Sequence, residues 1–305
     1  MGLDKVTAPG NAPRFKVEVF IPTISRPSLS QTLKSLEEQT FRDYSERVDK
    51  GPEEFLDKTL KMAKESEADL VAIWDDDAEF PPQWLEGLLP YFDLQRVAFV
   101  GGPMIPLVTS DSTRTERAAA FVSQSFFGSL WMSRRSKEGA FAEERTETGI
   151  AGVGIYRREA LLRILEEGWG KIPRGAWETY VFTRMKELGY TTLFAPEGRF
   201  YHAPRMGFGQ LARQGYRSGV GRMAVFRSKP RTALRAGSIV LPILGLAYFV
   251  EASAHAFYWP VIVYLGLVFV AGGFDPWNFG ALLTVHLSYT AGLLVGLVRR
   301  HASWT

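Results

Sequence analysis

The sequence predicts an α/β domain followed by an α-helical transmembrane domain, and three observations carry that expectation. A β-rich run from Phe15 to Ile21 is followed, after a loop, by Leu29, Leu33 and Leu36 at helical spacing, which is strand, loop and helix in α/β order. A second run, Asp69 to Trp74 (DLVAIW), is nearly continuous in its apolar character, as a strand covered on both faces must be. After Arg231 the chain turns into three apolar stretches, about Ala236 to Val250, Phe257 to Ala271 and Phe279 to Val298. The last has the roughly 20 residues that cross a bilayer, and the others reach that length only with their flanks.

At 305 residues, 46% hydrophobic and 23% charged, the chain can bury one large core and still carry a further module. It has no cysteine, which excludes disulfides, thiol catalysis and zinc–thiolate sites. Its formal charge is +3, and the basic residues gather between Arg205 and Arg235. That placement suits a membrane-surface anchor, and nucleic acid is not an expected partner. Residues 1–14 contain Gly, Asn and two Pro and no apolar run, so they read as a flexible terminus and not as a secretory signal. The expectation is an integral cell-membrane protein with its α/β domain on the cytoplasmic face.

In chain order, Pro22 ends the first strand, and Ser28 offers an N-cap to the helix that follows. A second helix, about Glu53 to Lys64, presents Leu56, Leu60 and Ala63 as one stripe. Pro81 and Pro82 open a helix with Trp84, Leu85, Leu88 and Leu89, and Arg96 to Val100 reads as a strand. Thr109 to Thr148 is expected to hold a helix and a mobile loop, with order resuming at Gly149 to Tyr156 and in a helix after Arg157. Phe208 to Phe226 reads as a basic amphipathic interfacial helix weakened by its glycines. Glu251 and His255 interrupt the first apolar stretch. Arg227, Lys229, Arg231 and Arg235 place the soluble part on the cytoplasmic side; Arg299 and Arg300 prefer that side too, which an odd number of spans denies them. Two spans and three both remain open. The divisions are a flexible terminus (1–14), an α/β catalytic domain (15–206), a basic interfacial segment (207–231) and membrane helices (232–305).

Asp75, Asp76 and Asp77 close the buried strand, where open α/β sheets bind their ligands. Three adjacent carboxylates repel one another unless a cation or hydrogen-bond donors offset them. Mg²⁺ or Mn²⁺, held also by substrate phosphates, would do so; the other reading is a solvated acidic loop.

FIPTISRP, VAIWDDDAEFPPQWL and WETYVFTRMKELGYTTLFAPEGRFYH resemble, in order and spacing, the motifs of family-2-type inverting glycosyltransferases, and the resemblance runs from about Phe15 to Arg222. It implies the glycosyltransferase-A fold, a Rossmann-like sheet that transfers sugar from a nucleoside diphosphate. By that resemblance Pro22, Thr23 and Arg26 begin the nucleotide pocket, Asp75 lies near the ribose and Asp77 binds the metal, Mg²⁺ or Mn²⁺. Asp76 also belongs to the donor site, because the register can slip by one. Glu178 takes the place of the catalytic base when Arg184 anchors the register; a carboxylate favoured by a helix N-terminus is the plainer reading. By the same resemblance His202 completes the metal shell or contacts the diphosphate; a structural histidine is the plainer reading. Gly152, with Gly154, corresponds to a small-residue segment beneath the donor sugar, although tight packing explains the pair as well.

Two departures stand out. The family's second strand is expected to be missing or shortened, with only Ser45 to Lys50 in its place and Asp49 as the substitute for the base-binding acid. Gln210 and Arg213 match part of a motif of processive synthases, but Gln214 stands where Trp is expected, which favours transfer of a single sugar. The resemblance, joined to the apolar tail that would hold the site against a lipid carrier, leads to the expectation of a membrane-bound enzyme moving one hexose, mannose or glucose, from a GDP- or UDP-hexose to a lipid-linked or membrane-held acceptor. Membrane lipid is a further partner, and homo-oligomerisation stays open. The alternatives are a polyprenyl-phosphate sugar synthase and a non-catalytic cation-binding membrane scaffold.

Overall fold

The computed structural model describes residues 15–129, 143–144, 152–170, 172–204, 207–228, 237–254 and 258–298. The expectations for residues 1–14, Gly149 to Ala151, Arg205, Lys229, Arg231, Arg235, His255, Arg299 and Arg300 fall outside these. In chain order the elements are β1 (Val17–Pro22), α1 (Leu29–Glu37), β2 (Tyr44–Asp49), α2 (Phe55–Glu65), β3 (Leu70–Ile73), β4 (Ala78–Glu79), α3 (Trp84–Leu88), β5 (Val97–Gly101) and β6 (Met104–Pro106). Next come α4 (Arg114–Gln124), α5 (Phe126–Ser129), β7 (Glu143–Glu144), β8 (Gly154–Arg157), α6 (Arg158–Gly168), α7 (Trp177–Glu187), β9 (Thr191–Phe194) and β10 (Phe200–His202). The chain ends in α8 (Phe208–Ser228), α9 (Gly237–Ala254), α10 (Trp259–Ala271) and α11 (Pro276–Val298). It divides into two compact units, 1–105 with 135–169 and 181–203, and 106–134 with 170–180 and 204–305, so that one boundary falls inside α7.

The first unit is built on a seven-stranded sheet in the order β2, β1, β3, β8, β5, β9, β7. β1 pairs in parallel with β2 and β3, and β5 in parallel with β9, while β8 runs antiparallel between β3 and β5. Every residue of β1, β3 and β5 is buried, which is why β3 and β5 read as unbroken apolar runs instead of alternating ones; in β1 the buried Glu18 accepts from Arg47 Nε at 2.7 Å. A small sheet, β4, β10, β6, adds to it. Two expectations need correction. The second strand is neither missing nor short: β2 pairs with all six residues of β1, although it is half exposed and polar, as a sheet edge allows. Ser28 does not cap α1; its φ and ψ are helical, and its hydroxyl donates instead to the Asp76 carbonyl at 3.0 Å.

β8 reaches its place because Gly154 has no side chain. A Cβ there would run into the Phe99 ring and lie 2.6 Å from the Val100 carbonyl, in a layer where Phe99 also packs on Tyr156 and Phe182 at 4.6 Å between centroids.

In the second unit, α4 starts with a capping box in which Thr113 and Glu116 satisfy each other's backbone N–H groups. α8 is one continuous helix of 21 residues despite its glycines, because several of them are contact points. A Cβ on Gly215 or Gly219 would strike Ser288 or the Tyr289 carbonyl, and one on Gly292 the Tyr216 carbonyl. Small residues four apart on both helices thus let α8 and α11 approach backbone to backbone. Among the described residues α11 alone is long and apolar enough to cross a membrane; α10 has only 13 residues and α9 contains Pro242.

Gly154→Ala is expected to cost about 1–3 kcal/mol through overpacking. Gly209→Ala, on a helix with open space around it, should be neutral or stabilising by up to about 1 kcal/mol. Denaturant melts of the two variants provide the check.

Candidate functional site

The candidate site lies in the first unit, where β1, β2 and β3 end along one edge of the sheet. The aspartate triplet follows β3 and enters a turn at Asp76 and Asp77 before β4 begins at Ala78. Asp76 points inward and is buried. Its carboxylate accepts from the Thr23 hydroxyl at 2.5 Å, the Ile24 amide at 3.3 Å and Arg26 Nη1 at 2.6 Å. With the Ser28 hydroxyl on its carbonyl, Asp76 fastens the whole loop between β1 and α1 to the end of β3.

Asp75 and Asp77 meet His202. The His202 Nε2 lies 3.1 Å from Asp77 Oδ1 and 3.6 Å from Asp75 Oδ2, and Arg26 Nη1 is 2.8 Å from Asp77 Oδ2. The strand that delivers His202 is fixed locally. β10 runs antiparallel to β4 with His202 opposite Ala78, and the Ala203 amide donates to the Asp77 carbonyl at 3.0 Å. Behind it Trp74 stacks on Phe80 at 3.7 Å between centroids, and Phe80 stacks on Phe200 at 5.6 Å. These rings hold the triplet and β10 against one support.

Burial pushes the His202 imidazole pKa down, but its hydrogen bonds to Asp75 and Asp77 more than offset this and raise it to about 9. Three carboxylates therefore stand against one imidazolium and one guanidinium. Asp77 is 9% exposed and Asp75 39%, so the need for positive charge is greater at Asp77. One ligand atom from each of Asp75, Asp77 and His202 can lie within 4.8 Å of the other two. Two carboxylates and an imidazole fit a divalent cation, which would take the place of the His202 proton.

Asp49 ends β2 opposite Pro22; its side chain accepts from the Gly51 amide at 2.8 Å, and its carbonyl accepts from the Thr23 amide at 2.9 Å. Gly152 precedes β8, and its carbonyl accepts from the Tyr156 hydroxyl at 2.6 Å. Glu178 stands in the first turn of α7, in the second unit. Sequence reasoning missed Lys58. Its ammonium is buried and donates to the Thr23 carbonyl at 2.7 Å and the Asp49 carbonyl at 3.1 Å, joining the ends of β1 and β2. A lysine within an amphipathic helix reads as solvated, and no spacing rule marks this one as internal.

The sequence profile described as glycosyl transferase family group 2 matches residues 70–294, most of the chain. The chain belongs to this family. Membership of glycosyl transferase family group 2 accounts for the mixed α/β domain of the glycosyltransferase-A type. Among solved structures, a mannosyltransferase from Pyrobaculum calidifontis in complex with GDP-Man and Mn²⁺ is similar over 97% of this chain and 92% of its own, at 15% identity and a TM-score of 0.63. S. aureus TarS 1–349 in complex with UDP-GlcNAc is similar over 92% and 90%, at 13% identity and a TM-score of 0.42. No curated protein sequence is similar enough to count as a match.

Asp76→Ala strips three donors of their acceptor, and the loss of charge-assisted hydrogen bonds should lower stability by about 2–3 kcal/mol. Asp75→Asn, which gives up only the longer contact with His202, should cost less, about 1 kcal/mol. Thermal melts without metal or nucleotide compare the two.

Proposed function

We propose that this glycosyltransferase is a metal-dependent, inverting hexosyltransferase that moves a single hexose from a GDP- or UDP-hexose to a lipid-linked or membrane-held acceptor. The observation that carries the reading is the convergence of Asp75, Asp77 and His202 beside the Thr23 to Arg26 loop. It supplies cation ligands where the diphosphate of a donor at the sheet edge would lie. A bound divalent cation would stabilise the negative charge that develops on the departing diphosphate. Pro22, Thr23, Arg26 and Asp49 border the nucleotide, Asp76 holds that border in place, and Gly152 lies under the sugar. The acceptor oxygen forms a bond to the anomeric carbon as the carbon–oxygen bond to the diphosphate breaks. The electron pair leaves with the diphosphate, and Glu178 takes the acceptor proton.

The mannosyltransferase structure, solved with GDP-Man and Mn²⁺, makes GDP-mannose the first donor to try and Mn²⁺ the first cation. An imidazole among the ligands also favours Mn²⁺ over Mg²⁺. The apolar helices α9 to α11 support an acceptor held at the membrane.

The test uses the full chain in detergent with GDP-mannose and UDP-glucose, lipid-phosphate acceptors, and Mn²⁺, Mg²⁺ or a chelator. Transfer should need the cation and invert the anomeric centre of the product. Asp77→Asn and Glu178→Gln should each lower kcat by at least about 100-fold, with donor affinity kept within about twofold only in Glu178→Gln. Turnover that survives chelation, or survives Glu178→Gln, overturns the corresponding assignment.

A further inference from the structure

We propose that α11, although long enough to span a bilayer, lies along the surface of one leaflet with α8 beside it. The reason is the company α11 keeps. α8 runs parallel to it over its whole length: Phe208 packs on Trp277, Gly215 on Ser288, Gly219 on Tyr289 and Gly292, and Met223 on Gly296. Near the C-terminal end Arg227 donates to the Gly296 carbonyl.

The register between the helices puts Arg213 and Arg217, both exposed, level with the middle of α11. A spanning α11 would carry these two guanidinium groups to the centre of the hydrocarbon, the costliest depth for an arginine. On another side, α4 packs Ala118, Ala119 and Val122 against Ala281 and Leu282. The same helix carries Arg114 and Arg117, and Arg117 is bonded to the carbonyls of Thr109, Ser110 and Ser112. Thus helices carrying arginines flank α11 on two sides, α4 near its first turns and α8 at mid-length.

The remaining side is apolar. Leu287, Leu294, Leu297 and Val298 are exposed along it. His286 accepts from the Tyr264 hydroxyl at 2.6 Å and donates to the Phe127 carbonyl, also at 2.6 Å, which ties α10 and α5 to α11. A carbonyl can only accept, so the ring proton sits on Nε2. The exposed Phe126 and Phe127 therefore share the level of Leu287. α10 is too short to cross the roughly 30 Å of hydrocarbon. A phospholipid leaflet is the occupant that fits: acyl chains against the leucine and phenylalanine side, phosphates within reach of Arg213 and Arg217.

The inference deepens the membrane-held part of the function proposed above and does not depend on the transfer reaction, since an inactive chain would give the same result. The chain has no cysteine, so single-cysteine variants label uniquely. Phe274→Cys, Leu287→Cys and Val298→Cys, at exposed positions before, within and at the end of α11, are spin-labelled in the full chain in phosphatidylglycerol–phosphatidylcholine vesicles. Their depths are then measured from collision with oxygen and with a water-soluble nickel complex. The expected result is three depths that agree within about 5 Å, none more than about 10 Å below the phosphates. A profile deepest at Leu287 with both ends in water means a spanning helix and overturns the proposal. Three labels in water overturn it as well, because the face would then be covered by something other than lipid.

Discussion

The buried carboxylate of Asp76 is the interaction on which the site depends. It accepts a hydroxyl, an amide and a guanidinium from the loop after β1, so the ends of β1 and β3 cannot shift independently. Arg26 Nη1 bonds Asp76 and also lies 2.8 Å from Asp77 Oδ2, so one guanidinium ties this structural anchor to the candidate ligand beside it.

The same edge is reinforced from beneath. Lys58 buries an ammonium against two carbonyls that end neighbouring strands, a costly burial that charge-assisted hydrogen bonds offset. The aromatic stack of Trp74, Phe80 and Phe200 couples the triplet to the strand bearing His202. Residues far apart in sequence are brought together by strand pairing alone, since β10 meets β4 directly after the triplet.

Much of this was legible in the sequence. The β-rich run of β1, the apolar run of β3, the stripe of α2 and the triplet at a strand end follow from periodicity and from the burial of parallel strands. β2 was less visible, because Tyr44–Asp49 lies at a polar sheet edge and lacks the apolar signal of its neighbours. Ser28 looked like a cap since serine before a leucine stripe commonly is one, whereas a tertiary hydrogen bond to Asp76 claimed its hydroxyl. Which of three identical aspartates turns inward depends on partners some fifty residues away, and no local pattern contains that. The glycines of α8 lowered its expected helicity for the same kind of reason: their use is contact with α11, visible only in the packing.

The parallel pairing of α8 and α11 has an electrostatic consequence. Antiparallel neighbours largely cancel their peptide dipoles, but parallel ones add, giving this pair about one positive charge at the end marked by Phe208 and Pro276 and about one negative charge at the other. Each end is answered locally. The Asp275 carboxylate accepts from the amides of Trp277 and Asn278 at the first, and the Arg227 guanidinium meets the Gly296 carbonyl at the second. Close approach through glycine therefore leaves a standing field along the helix pair, with its polarity fixed by the direction of the chain.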